Sequence, residues 1–144
     1  MRRANLAGAD LKVFVVEDSA AVRERLVEMI GEIENVEVVG EAAAYGAAIS
    51  GILRACPDVA LLDIKLADDT GSGIDVLNTV RKGLPAMRAI VMSNYVTPQH
   101  AKASADAGAE YFLDKSSDFD RIPGILERMR AAGAGRRPEI HSCN

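Results

Sequence analysis

The sequence predicts an α/β fold in which helices cover both faces of a doubly wound, five-stranded parallel sheet. Five short apolar runs alternate along the chain with five segments of helical pattern. The apolar runs are continuous rather than alternating, which is typical of strands that are buried on both faces. The connections between successive elements are short, which favours right-handed crossovers and therefore a parallel sheet.

The length and composition fit one compact domain. The chain has 144 residues, of which 49% are hydrophobic and 26% are charged, and its net charge is −4. This charge argues against non-specific binding of nucleic acid, and two cysteines without paired spacing argue against a zinc site. Because no apolar segment is long enough to be an export signal or to span a bilayer, we expect a cytoplasmic protein without membrane contact.

The first two strands are predicted at residues 13–16 and 36–39. Ser19 follows the first strand and can cap a helix. The apolar residues of that helix recur at helical spacing and are Val22, Leu26, Met29, Ile30 and Ile33. Residues 43–55, rich in small side chains, predict the second helix, which Pro57 ends.

The third and fourth strands are predicted at residues 59–62 and 89–92, and the helices after them have clear end signals. A polar loop over residues 65–73 leads to a third helix, with an apolar face of Ile74, Leu77 and Val80. Thr97 and Pro98 predict the start of the fourth helix, and Gly108 is placed to end it.

The fifth strand is predicted at residues 111–113, and Ser117 is predicted to cap the last helix. The apolar face of that helix is Ile122, Ile125, Leu126 and Met129. Composition then changes to Ala, Gly, Arg and Pro. We therefore divide the chain into an N-terminal arm (1–10), a folded domain (11–132) and a flexible C-terminal tail (133–144).

Polar residues follow four of the five predicted strands. In a parallel α/β sheet, ligands bind outside the carboxyl ends of the strands. The residues at those ends are Glu17, Asp18, Asp63, Ser93 and Lys115. Taken singly, each has an ordinary explanation as a turn, a helix cap or a solvated charge. Their occurrence at one edge of one sheet favours a shared site.

The chemistry of this set is that of a site that phosphorylates an aspartate. Three carboxylates repel one another unless a cation lies among them, and a site made of oxygen ligands suits Mg²⁺. A carboxylate can attack phosphorus and carry an aspartyl phosphate. A lysine and a hydroxyl can then bind the phosphoryl oxygens.

The strand-end motifs V-F-V-V-E-D-S, L-L-D-I-K-L, V-M-S-N and Y-F-L-D-K-S resemble those of one family. They are similar to the receiver domains of bacterial two-component response regulators over about residues 11–131, and the spacing of the motifs matches as well. The resemblance implies a flavodoxin-like (βα)5 fold with strand order 2-1-3-4-5. It also implies that Asp63 is the phosphoacceptor, and that Glu17, Asp18, Asp63 and the backbone carbonyl of Lys65 hold Mg²⁺ or Mn²⁺.

The resemblance assigns roles to four further side chains. Ser93 corresponds to the switch hydroxyl, Lys115 to the cation that pairs with phosphate, and Phe112 to the switch aromatic, although a strand residue of the core would also fit Phe112. Lys65 and Tyr95 flank the approach of water to phosphorus, and we predict that they slow dephosphorylation. The alternative is that both side chains point to solvent.

The function implied by this resemblance is signal transduction rather than turnover of an external substrate. A sensor histidine kinase or a histidine phosphotransfer protein would donate the phosphoryl group, and the intrinsic loss of that group would reset the protein. The face formed by the fourth helix, fifth strand and fifth helix would contact a target protein or a second copy. A phosphorelay intermediate and a phosphate sink remain alternatives.

Three other functions fit the sequence less well. A haloacid-dehalogenase-like phosphatase needs a second aspartate two residues after the nucleophile, where this chain has Lys65. A flavin-binding module needs a phosphate loop after strand one, where Glu17 and Asp18 would repel phosphate. A receiver that is not phosphorylated would lack one of the site residues. Because only 14 residues follow Arg130, we expect a stand-alone receiver without direct DNA binding, and a receiver excised from a longer regulator remains the alternative.

The sequence departs from the family pattern around the third strand and after Lys115. Ala67 stands where members usually have Pro, and the loop that follows is about two residues longer than usual. Ser116 also replaces a frequent Pro. The first two departures predict a more mobile loop before the third helix, and the third argues against the cis peptide that is usual after this lysine.

Overall fold

The computed structural model describes residues 11–68 and 70–133, so the predicted arm and residues 134–144 of the predicted tail lie outside the described residues. The elements in chain order are β1 (Leu11–Val16), α1 (Ala20–Gly31), β2 (Val36–Ala42), α2 (Tyr45–Ala55), β3 (Val59–Asp63), α3 (Gly73–Val80), β4 (Arg88–Ser93), α4 (Pro98–Asp106), β5 (Tyr111–Asp114), a 3₁₀ turn (Phe119–Arg121) and α5 (Ile122–Ala131). Within these ranges, no helix has the length and apolar character needed to cross a membrane.

The five strands form one parallel sheet in the order β2-β1-β3-β4-β5, which confirms the predicted fold class and strand order. The register brings the carboxyl ends of the inner strands to one edge. Asp63 at the end of β3 lies beside Met92, and Ser93 at the end of β4 lies beside Asp114. Between β1 and β3 the order in which strands are added to the sheet changes direction, and a parallel sheet opens a crevice at its carboxyl edge at such a point.

Two apolar cores lie on opposite faces of the sheet, because successive residues of each strand point to opposite sides. One core packs the sheet against α1 and α5, through residues such as Leu26 and Ile125. The other packs it against α2, α3 and α4, through residues such as Ile52 and Leu77. Burial on both faces accounts for the continuous apolar runs of the inner strands.

Helix ends follow the predicted capping chemistry at α1 and α4. The Ser19 hydroxyl accepts a hydrogen bond from the Val22 amide, and the Thr97 hydroxyl accepts one from the His100 amide. Gly108 follows α4 with a φ of +97°, the left-handed conformation that glycine adopts without a steric penalty. These caps confirm the predicted start of both helices and the predicted end of α4.

Strand β2 runs to Ala42, three residues beyond the predicted end. Gly40 lies inside this longer strand, and the Phe14 ring of β1 occupies the space beside it. A Cβ at Gly40 would lie 2.5 Å from Phe14 Cε2. The glycine therefore makes room for a buried aromatic ring instead of ending the strand.

The prediction that Ser117 caps the last helix is wrong. Helix α5 begins at Ile122, after the 3₁₀ turn. The Asp114 carboxylate instead accepts hydrogen bonds from the hydroxyl and amide of Ser116, which hold the pKa of Asp114 below its ordinary value. Pro123 lies in the first turn of α5, where a backbone amide has no partner within the helix, so the missing amide hydrogen of proline costs no hydrogen bond.

The long loop between β3 and α3 is attached to the segment at the start of α2, a contact that the sequence did not predict. The Ala67 amide donates to the Ala43 carbonyl over 2.9 Å, and the Tyr45 amide donates to Asp68 Oδ1 over 3.1 Å. The Tyr45 ring lies against Gly71, where a Cβ would come within 2.6 Å of it. These contacts join the loop to that segment at three points, and the prediction that the loop is more mobile than usual stays a prediction.

Candidate functional site

Three carboxylates meet at the carboxyl edge of the sheet. Glu17 and Asp18 directly follow β1, and Asp63 ends β3. One carboxylate oxygen from each lies within 4.8 Å of the others. Glu17 is fully buried and Asp63 is 2% exposed, whereas Asp18 is half-buried. The arrangement leaves Asp18 as the member of the group with most access to solvent.

Lys115 provides a positive charge within this group. Its Nζ lies 3.0 Å from Glu17 Oε1 and 3.2 Å from Asp63 Oδ2. Burial favours the neutral amine and lowers the pKa of Lys115. The hydrogen bond to Glu17 and the charges of Glu17 and Asp63 outweigh that effect, so the net shift of the pKa is upward. The lysine therefore stays charged.

One lysine does not neutralise the group. Burial and then the charge of Glu17 raise the pKa of Asp63 to about 7, although Lys115 acts in the opposite direction. A second cation among these oxygens would favour the ionised carboxylates. Because all the available ligand atoms are oxygens, the set fits a hard divalent ion such as Mg²⁺ or Mn²⁺.

The backbone around Glu17 is held by three hydrogen bonds. The Glu17 amide donates to the Ala42 carbonyl, and the Arg23 guanidinium donates to the Glu17 carbonyl over 2.8 Å. The Ser19 amide donates to Glu17 Oε2 over 3.0 Å. Glu17 is thus a fixed, buried acid that orients Lys115 as well as a potential contributor to a metal site.

Gly73 allows the start of α3 to approach the end of β3. Its amide donates to the Ile64 carbonyl over 2.9 Å, and a Cβ at this position would collide with the backbone carbonyl oxygen of Asp63. From sequence, Gly73 was predicted only as the end of a loop. A glycine at the junction between a predicted loop and a predicted helix was the available signal for such a close approach.

Ser93 lies at the edge of the same site, but its hydroxyl is bound within the loop between β4 and α4. Ser93 Oγ accepts a hydrogen bond from the Tyr95 amide and donates one to the Tyr95 carbonyl, both over 2.9 Å. The Ser93 carbonyl accepts a bond from the Lys115 amide, which joins the ends of β4 and β5. The hydroxyl is therefore near the carboxylates without binding to them.

A cleft of about 410 Å³ opens beside Asp63. Its walls contain all but two of the predicted site residues, together with three that were not predicted. The lining residues are Asp18, Asp63, Ile64, Lys65, Ser93, Asn94, Tyr95, His100 and Lys115. Lys65 is exposed and Tyr95 is 73% exposed, so both lie at the rim.

Phe112 packs against the core, as the alternative given for it predicts, and its role as the switch aromatic stays a prediction, whereas His100 lines the cleft without having been predicted there. Phe112 is half-buried and packs against the core on the α2–α4 face, outside the lining of the cleft. His100 was missed, and its Nδ1 lies 3.2 Å from the Tyr95 carbonyl oxygen. The Thr97 cap places residue 100 in the first turn of α4, a signal that could have indicated its position at this edge.

Comparison with known proteins identifies the family. The family model described as the response regulator receiver domain matches residues 13–127. The chain is a response regulator receiver domain. Proteins of this family are signalling proteins of two-component systems, and the acidic group found here occupies the edge of the sheet where receivers bind Mg²⁺. The resemblance seen in the four strand-end motifs is thereby confirmed.

Two curated relatives resemble this receiver along most of its length. The DNA-binding transcriptional activator DevR/DosR of Mycobacterium tuberculosis is 32% identical over 128 residues, which are 88% of this chain and 56% of that protein. The response regulator protein VraR of Staphylococcus epidermidis is 25% identical, over 90% of this chain and 61% of that protein. The chain thus spans somewhat more than half the length of these relatives.

Solved structures agree with the fold of this receiver. The signal receiver domain of the putative response regulator NarL from M. tuberculosis superimposes with a TM-score of 0.75 and is 30% identical, over 84% of this chain and 96% of that one. The response regulator domain of Thermotoga maritima CheB gives a TM-score of 0.73 at 25% identity, over 89% of this chain and 98% of that one.

Proposed function

We propose that this receiver accepts a phosphoryl group on Asp63 from a sensor histidine kinase or a histidine phosphotransfer protein in the cytoplasm. One observation carries the proposal. Asp63 is buried at the floor of an open cleft, 3.2 Å from the ammonium of Lys115, and beside two further carboxylates. A nucleophile, a cation and a set of metal ligands are therefore adjacent, as phosphoryl transfer to a carboxylate requires.

In this proposal, Glu17, Asp18, Asp63 and the backbone carbonyl of Lys65 would hold Mg²⁺ or Mn²⁺. The ion supplies charge neutralisation when bound. A carboxylate oxygen of Asp63 forms the new bond to phosphorus as the P–N bond of the donor phosphohistidine breaks. The electron pair of that bond leaves with the donor imidazole, which takes up a proton. Lys115 then pairs with a phosphoryl oxygen instead of the free carboxylate.

We propose that Ser93 conveys phosphorylation to the surface. In this structure, the Ser93 hydroxyl donates a hydrogen bond to the Tyr95 carbonyl and accepts one from the Tyr95 amide. When it turns to donate to a phosphoryl oxygen, the bond to the Tyr95 carbonyl is lost and the loop before α4 is free to repack. Phe112 on β5 is half-buried and can adjust with it. The altered face of α4, β5 and α5 would bind a target protein or a second copy.

Lys65 and Tyr95 are proposed to control the loss of the phosphoryl group. Water must approach phosphorus in line with the Asp63 oxygen, and these side chains stand at the rim of that approach. Tyr95 is mostly exposed, so shielding requires its ring to turn across the cleft after phosphorylation. The two residues would then lengthen the life of the aspartyl phosphate and slow its spontaneous hydrolysis.

Phosphorylation by acetyl phosphate tests the assignment. Intact-mass spectrometry should show one added phosphoryl group on the wild-type chain with Mg²⁺, and none with excess chelator or in Asp63→Asn. Beryllofluoride with Mg²⁺ should shift the amide resonances of residues 93–120 in the wild type. Equal labelling of the wild type and Asp63→Asn would disprove the assignment of Asp63, and unshifted amides would disprove the proposed coupling to the surface.

A further inference from the structure

The loop between β3 and α3 is anchored on both sides of Lys65. On one side, the Ile64 amide donates to the Met92 carbonyl over 3.0 Å, and the Ile64 carbonyl accepts from Gly73. On the other side, Leu66 is 4% exposed and the Ala67 amide is bound to the start of α2. The backbone carbonyl of Lys65 therefore lies on a short segment whose two ends are held by different elements.

Asp68 is the side chain that attaches the far end of this segment. Its Oδ1 accepts a hydrogen bond from the Tyr45 amide, the first amide of α2, over 3.1 Å, and its Oδ2 accepts one from the Thr70 hydroxyl over 3.2 Å. Ala44, the residue in the N-cap position of α2, has no side-chain acceptor. Asp68 thus caps α2 from a distant part of the chain, with its negative charge at the positive end of the helix.

We propose that Asp68 is a positioning residue for the metal site. By capping α2, it holds residues 64–67 so that the Lys65 carbonyl faces the carboxylates of Asp18 and Asp63. This inference rests on the proposed function, because that function makes the Lys65 carbonyl a metal ligand. Ala67 stands where family members usually have Pro and has no ring to fix its φ, so the backbone here relies on the Ala67–Ala43 hydrogen bond and on the Asp68 cap.

Two substitutions separate the hydrogen bond of Asp68 from its charge. Asp68→Ala removes the acceptor, whereas Asp68→Asn removes the charge and keeps a carbonyl oxygen that can accept from Tyr45. In the metal-free protein, hydrogen exchange of the Ala67 amide should be at least about threefold faster in Asp68→Ala and near the wild-type rate in Asp68→Asn. Asp75→Ala is the matched control, because Asp75 caps α3 in the same loop.

Titration with Mg²⁺ alone, followed by amide resonances, measures the consequence for the site. Asp68→Ala should bind Mg²⁺ at least about threefold more weakly, because the apparent affinity falls with the fraction of loop held in the binding conformation. Asp68→Asn should bind within about twofold of the wild type. Equal Kd values for Asp68→Ala and the wild type, or equally weak binding by both variants, would overturn the proposal.

A double-mutant cycle identifies the donor. Tyr45→Pro removes the amide hydrogen and the ring, while Tyr45→Ala removes only the ring. Proline suits the first position of a helix, and Ala44 before it is already extended. Asp68→Ala should weaken Mg²⁺ binding further in the Tyr45→Ala background and not in the Tyr45→Pro background. An equal further loss in both backgrounds would contradict the inference.

These measurements are independent of phosphoryl transfer. If acetyl phosphate fails to label the wild type while the Asp68 variants alter Mg²⁺ binding as expected, the proposed function is wrong and the positioning role is supported. If labelling occurs at Asp63 while Asp68→Ala binds Mg²⁺ like the wild type, the proposed function is supported and the positioning role is refuted.

Discussion

Asp63→Asn is expected to stabilise the metal-free protein at neutral pH. The pKa of Asp63 rises from its ordinary value of 3.8 to about 7 in the folded state, through burial first and the charge of Glu17 second. At a pH between these two pKa values, Asp63 is protonated in the folded state and ionised in the unfolded chain. The free energy of unfolding therefore falls as pH rises from about 4 to 7, and the lost stability stays lost above that window.

The magnitude follows from the size of this pKa shift. Each pKa unit corresponds to about 1.4 kcal/mol, so an ionised Asp63 costs at most about 4 kcal/mol above pH 7. Because this pKa already includes the attraction of Lys115, which is 3.2 Å away, Asp63→Asn can recover up to this amount, less the cost of burying an amide in place of a carboxyl group. We expect a net gain of about 2 kcal/mol for Asp63→Asn, roughly half of the maximum.

Urea unfolding at pH 5 and pH 7.5 in excess chelator measures this effect. The wild type should lose stability between the two pH values relative to Asp63→Asn, and added Mg²⁺ should return stability to the wild type. Asp106→Asn is a suitable control, because Asp106 is exposed and its ion pair is with Lys102 on the same helix. An Asp63→Asn variant less stable than the wild type at pH 7.5 without metal would refute the reasoning.

Three further predictions follow from the geometry of the cleft. Gly73→Ala should lower the free energy of unfolding by about 2 kcal/mol, measured with urea, because its Cβ must displace the Asp63 carbonyl. Asp18→Ala should weaken Mg²⁺ binding at least about tenfold with little change in stability, because a ligand is lost from a half-buried position. The pair Lys65→Asn/Tyr95→Ala should release phosphate faster than the wild type at saturating Mg²⁺; equal or slower release would remove the shielding role.

The fold was predictable because each inner strand is buried on both faces. Residues 13–16, 59–62 and 89–92 must be apolar at every position, and this leaves a continuous run in the sequence. Caps at Ser19 and Thr97 are local, since each hydroxyl bonds an amide three residues away. Local patterns of this kind can be read without knowing the tertiary structure.

The features that were missed depend on contacts between distant residues. Asp68 caps α2 across 23 positions of sequence, so the loop looked loose when read alone. The Ser117 hydroxyl was a reasonable cap, but the Asp114 carboxylate already organises that turn. Topology predicts that Glu17, Asp63 and Lys115 lie at the same edge of the sheet. That the Lys115 ammonium pairs with both carboxylates depends on side-chain geometry, which the sequence pattern does not contain.

The central claim is that Asp63 carries the phosphoryl group. Borohydride reduces an aspartyl phosphate to homoserine, so peptide mass spectrometry after reduction locates the modified residue directly. The wild-type chain, treated with acetyl phosphate and Mg²⁺ and then reduced, should contain homoserine at position 63 and unmodified aspartate at position 18. Homoserine at position 18, or aspartate retained at position 63 in a chain shown to be phosphorylated, would contradict the claim.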